Sequence, residues 1–226
     1  MRRLGGPLGV WRLGVLLLAT GFWAHQFALQ DLADFGWQFR YLAVWALTLG
    51  LVAGALTFRL SLVPDAGAPD SLLLVASAVS ALQAILFWRF QLDDPSVLGP
   101  ASAGASPLAI AYLHGIMPLL VWIETVFLSR ASRGLPAAIG WLLVTLLAYV
   151  LWIEAAVLPL NPVPAGAVTS GLPYPLLNDM TQPERIVLYA RSSALGLALL
   201  VLAGWAAGRG AGSARSEASS AASPSR

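Results

Sequence analysis

Six apolar stretches, near residues 10–29, 41–61, 71–90, 107–128, 136–158 and 185–207, constrain this chain more than any other feature of it. At about 1.5 Å of rise per residue, a helix of that length crosses the roughly 30 Å hydrocarbon layer of a bilayer. Lipid offers no partner to backbone N–H and C=O groups, so a spanning segment must satisfy them within itself, as a helix does. Composition points the same way. Of 226 residues, 58% are hydrophobic and 11% charged, against about a quarter charged in an ordinary soluble domain. The predicted fold class is all-α, a polytopic membrane protein with six transmembrane helices in a bundle.

Polar and helix-breaking residues collect between the stretches, in "DLADFG" (31–36), "PDAGAPD" (64–70), "QLDDPSVLGPASAGAS" (91–106) and "SRASRG" (129–134). The longest connection, 159–184, holds six prolines, which predicts an irregular or extended loop rather than a seventh helix. Residues 209–226 are rich in Ser and Ala and poor in large apolar side chains, so they are expected to form a disordered tail after a transmembrane domain spanning 1–208.

Arginine placement sets the expected orientation. With the N-terminus cytoplasmic, that side receives Arg2, Arg3, Arg59, Arg130, Arg133, Arg209, Arg215 and Arg226, against Arg40, Arg89 and Arg185 opposite. Both termini are therefore expected in the cytoplasm. The arginine-only basic set, with abundant Ala, Gly and Leu, suggests a bacterial inner (cytoplasmic) membrane. "FWAHQ" offers no small-x-small cleavage site, so the first stretch reads as a retained helix and not a signal peptide.

Other classes fall away on composition. There are no cysteines, hence no disulfide, thiolate metal site or cysteine nucleophile. A net charge of +2 provides no dense basic face for nucleic acid. No residue pattern calls for a metal or cofactor.

Depth singles out a set of polar residues. Counting along each helix, His25, His114, Glu154 and Arg191 all fall in the outer half of the bilayer, on four different helices. Such groups are expected to face a bundle interior or a wet cavity, and a Glu154–Arg191 ion pair is the simplest neutralisation. Interfacial snorkelling or helix-to-helix contact is the plainer alternative, above all for His25. His114 differs because Pro118, four residues on, has no N–H for the His114 carbonyl. A kink, a free acceptor and an imidazole then coincide, which suits the wall of a cavity. Glu124 lies about 15 Å further along the same helix, too far for a dyad, and is expected to be structural or interfacial. Arg12 is expected to snorkel to the inner interface.

Four segments carry a family resemblance. "LHGIMPLLVWIE" (113–124) resembles the fourth-helix pattern of the androgen-induced / FAR-17a-like family of six-helix membrane proteins. "GWQFRYLAVWAL" (36–47) resembles that family's entry into helix 2. "AYVLW" (148–152) followed by "YPLLNDMTQPERIVLY" (174–189) resembles its Tyr-Pro-x-Leu loop and the start of helix 6. The resemblance covers most of residues 10–207. It implies a hydrolase of fatty acid esters of hydroxy fatty acids, with a threonine nucleophile partnered by a histidine. His114 occupies the histidine position, and Ala43 stands where the threonine is expected.

An alanine methyl cannot form an acyl-enzyme. Thr48 is about 140° round the helix and about 7.5 Å deeper, a poor substitute. Tyr41, Ser192 and Ser193 are the hydroxyls left to approach His114, unless His114 activates water directly as a general base. The expected site thus has His114 as catalytic base, with Arg40, Tyr41, Ala43, Glu154, Tyr174 and Arg191 around a membrane lipid or lipid ester. The expected function is that of an intramembrane lipid-ester hydrolase-like protein, active or degenerate. The alternatives are a bis-histidine haem protein using His25 and His114, or a non-catalytic transporter or structural membrane protein. No internal repeat or discontinuous helix pair favours transport.

Overall fold

The structure is a computed structural model and describes residues 6–28, 35–63, 65–98, 106–161 and 171–221. Its spanning helices are α1 (Gly6–Ala28), α2 (Leu42–Leu62), α3 (Asp70–Asp93), α4 (Pro107–Leu128), α5 (Leu135–Leu160) and the Gln182–Arg209 stretch of α7. A short α6 (Pro175–Asp179) lies in the long connection, where the prolines predicted no helix. Pro175 sits in its first turn, where a missing N–H costs nothing. α7 runs from Gln182 to Ala221, so its backbone stays helical through much of the segment expected to be disordered. Alanine and arginine favour helix, and no proline interrupts the run before Pro224.

Consecutive spanning helices alternate in direction, and side chains at both ends of the bundle tie them together. At the end where α1 begins (the near end), Arg12 of α1 meets Ser61 of α2 and Glu124 and Ser129 at the close of α4. There too Ser71 of α3 donates to the Gly134 carbonyl. At the far end, Asn161 after α5 makes paired hydrogen bonds with the backbone of Phe35, at 2.7 and 3.0 Å.

α3 is the central post. Its residues 73–80 are all buried, and it packs against α2, α4, α5 and α7. The main core gathers Leu47, Leu74, Val79, Leu82, Tyr112, Met117, Leu142 and Leu200. A second, smaller cluster of Tyr149, Ile153, Val157, Leu172 and Leu177 closes the far end.

α7 is held unevenly. Gly196, Leu200, Ala203 and Ala207 are buried, and small residues there let the helix approach α3 and α5 closely. Between 182 and 195 no residue is buried. Its far half is held only by partly buried side chains, Leu188 and Tyr189 among them, and the cavity lies on its inner side.

Among the described residues, three turns of π-helix interrupt the bundle: Tyr112–Ile116 and Glu124–Leu128 in α4, and Trp152–Val157 in α5. Each carries one histidine or carboxylate: His114, Glu124 or Glu154. Widening a turn frees backbone groups and redirects side chains, and such turns collect at functional positions. Pro118 follows the first and Pro159 the third, so missing N–H groups help to set two of them.

Candidate functional site

The far half of the bundle encloses a cavity of about 570 Å³. It is built from the inside faces of α1 to α5 and α7, with α6 and the entry to α2 across its top. Its walls are largely apolar, formed by Leu82, Leu86, Phe87, Leu113, Leu146, Ile153 and Leu188 among others. Polar groups enter at discrete points: His25, Gln38, Arg40, Tyr41, Gln83, His114, Tyr174, Tyr189, Ser192 and Ser193. A mostly apolar chamber with a few placed polar groups is the ordinary form of a site for an amphiphile.

The entry to α2 explains why Arg40, Tyr41 and Ala43 belong to that wall. Gly36 adopts a left-handed conformation (φ 85°), and Trp37–Arg40 then form one 3-10 turn. A side chain at position 36 would also press on Val157 and Trp152, so glycine is required twice over. Aromatic side chains collect the turn's spare backbone groups. Trp45 and Trp152 both donate to the Phe39 carbonyl, Tyr149 donates to the Arg40 carbonyl, and the Leu42 N–H donates to Tyr174. Burial pushes the Tyr174 hydroxyl above the ordinary tyrosine range, so it keeps its proton at neutral pH.

His114 sits in the first π turn of α4, stacked on Phe87 with ring centroids 3.6 Å apart and planes 8° from parallel. Its Nδ1 edge is sealed in protein with no hydrogen-bond partner. His114 lines the cavity, and with Nδ1 sealed, Nε2 is the ring nitrogen left to serve it. The His114 carbonyl, deprived of a donor by Pro118, accepts a 2.7 Å hydrogen bond from the Trp88 indole. His25 lines the same cavity and is partly buried.

Other expected residues are placed differently. Glu154 pairs with Arg185, not Arg191: Nε and Nη2 of Arg185 lie 2.7 and 3.0 Å from its two carboxylate oxygens. Residues 185 and 191 are six apart, about 240° round a helix, so one faces α5 and the other turns away; Arg191 is exposed. Glu154 itself does not line the cavity, but Tyr189, which does, donates to it at 2.7 Å.

Arg12 does not snorkel. It is buried beneath the near end, with Nη2 2.7 Å from Glu124, whose carboxylate also accepts from Ser129. Thr48 is committed elsewhere, donating to the Val44 carbonyl and accepting from Trp23. Charge-led reading missed Gln83, Phe87 and Trp88 of α3 and the tyrosines 149 and 189. A glutamine inside "SALQAILFW" was the available signal.

Fold and site together define the class, an integral membrane protein of six spans with a histidine-lined chamber in one half of the bundle. The chain belongs to the FAR-17a/AIG1-like protein family, whose pattern matches residues 10–207. Neither a curated protein nor a solved structure matches the chain.

Proposed function

We propose that this chain is a lipid-ester hydrolase-like protein that takes a long-chain acyl ester into the far-end cavity, with His114 as general base and water as nucleophile. One observation carries the reading: the imidazole and Ala43 line one apolar chamber, and Ala43 brings no hydroxyl to it.

In the proposed reaction, Nε2 of His114 takes a proton from water as the water oxygen attacks the ester carbonyl carbon. The carbonyl oxygen becomes an oxyanion, for which the hydroxyls of Tyr41 and Tyr174 and the guanidinium of Arg40 are the donors in reach of the chamber. Collapse breaks the acyl–oxygen bond, and the departing alkoxide recovers the proton from the imidazolium. Acid and alcohol are released. Ser192 and Ser193 line the same chamber and are the side-chain alternatives to water. The arginine asymmetry supports insertion with both ends cytoplasmic.

Purified protein in liposomes is expected to cleave long-chain acyl esters, and His114→Ala to lower the rate about 100-fold or more. Ala43→Thr should raise it and create a site for hydrolase-directed covalent probes. A fluorophosphonate adduct on Ser192 or Ser193 of the wild type would replace water by that serine. If the wild type neither binds nor cleaves such esters, and Ala43→Thr changes nothing, the reading fails. Because both histidines line the chamber, bis-histidine haem is the second reading, and a Soret band in purified protein would carry it.

A further inference from the structure

The first π turn of α4 contains a backbone deficit larger than proline alone creates. The Met117 N–H bonds to the Tyr112 carbonyl, five residues back. In that register the Leu113 carbonyl needs its donor from residue 118, and residue 118 is proline. In the ordinary α-helical register the His114 carbonyl needs the same missing N–H. Pro118 and the wide turn thus strand two successive acceptors within a membrane-spanning helix, where lipid has no donor to serve them.

Both are met by side chains from a single neighbour. Gln83 of α3, itself buried, donates through Nε2 to the Leu113 carbonyl at 2.7 Å, and Trp88 donates through Nε1 to the His114 carbonyl at 2.7 Å. Phe87, one turn from Gln83 on the same helix, covers the imidazole face. The amide of Gln83 has no freedom to flip, since only its NH2 can serve a carbonyl. Three neighbouring residues of α3 therefore grip the turn at two backbone points and one ring face.

We infer that Gln83 and Trp88 are positioning residues for His114: by taking the two carbonyls that Pro118 strands, they hold the wide turn that presents Nε2 to the cavity. The orientation stands on geometry alone, and its consequence for turnover rests on the function proposed above. Both act on His114 through the backbone of its turn.

The test uses full-length protein in liposomes, with Gln83→Met and Trp88→Phe, which remove each donor while keeping an apolar side chain. Trp122→Phe is the control. Trp122 also donates an indole N–H from one of these two helices to the other, bonding the Ser77 carbonyl at 3.0 Å, away from the π turn. The chain has two histidines, so both imidazoles can be resolved by 15N-histidine labelling and assigned with His25→Gln.

Each positioning variant is expected to shift the His114 resonances and change its carbethoxylation rate by diethyl pyrocarbonate about threefold to tenfold. His25 should stay within about twofold. In ester hydrolysis, kcat should drop about tenfold with KM nearly unchanged, the mark of a misaimed base. Wild-type His114 resonances and reactivity in both variants would overturn the inference, as would equal changes in Trp122→Phe. Should the wild type cleave no ester, the spectroscopic and labelling arms still decide the inference, and only the function fails.

Discussion

The sharpest energetic statement at the residue scale concerns Arg12 and Glu124. Both are sealed in the bundle, with side chains 8% and 9% exposed, and the hydroxyls of Ser61 and Ser129 complete their hydrogen bonding. Two charges taken out of water are stable only as a pair. Glu124→Gln keeps the shape but leaves the guanidinium uncompensated, and should cost about 3–5 kcal/mol of stability. The double replacement Arg12→Met with Glu124→Met should recover most of that loss, because a well-packed apolar pair needs no counter-charge. Thermal unfolding in one detergent compares the three proteins; a double variant as unstable as Glu124→Gln would show that the cost lies in packing rather than charge.

At the scale of elements, the decisive features are the places where helices come close or lose their regular ladder. Gly134, in the turn before α5, has an ordinary backbone conformation (φ −84°). Its need for glycine is steric, since a Cβ there would overlap the backbone at Ser71 where α3 begins. Gly134→Ala should therefore destabilise by about 1–3 kcal/mol and break the Ser71 hydrogen bond to the Gly134 carbonyl. The same substitution at Gly140, whose Cβ would meet open space, should be neutral or slightly stabilising. Denaturation midpoints of the two alanine variants that failed to differ would refute this account of the α3–α5 turn contact. The π turns belong to this scale as well. Each exchanges ladder regularity for the placement of one histidine or carboxylate, and in the first the stranded carbonyls are met by side chains of α3.

For the whole molecule, the two halves of the bundle differ in character. The near half is closely packed about α3. The far half holds the chamber, and the far part of α7 is fastened to α5 chiefly by the Glu154–Arg185–Tyr189 cluster. Arg185→Gln should speed amide hydrogen exchange across 182–195 while leaving 196–207, clamped against α3 and α5, as protected as in the wild type. Uniform protection along the helix would mean that the far half has other support. The chamber lies against the part of α7 where no residue is fully buried.

The primary sequence alone determined the class and the number of spans, because each depends only on where apolar runs occur. It also located His114 beside Pro118 and Ala43 at the entry to α2, and the family pattern runs through those positions. Height along a helix is legible from counting, since every residue adds the same rise. Azimuth and neighbour are not. The phase of each helix about its axis is set by packing against others, and the wide turns shift that phase further. Only the tertiary structure therefore chose Arg185 over Arg191 for Glu154, drew Arg12 inward to Glu124, and supplied Gln83 and Trp88 to the carbonyls that a proline had left without donors.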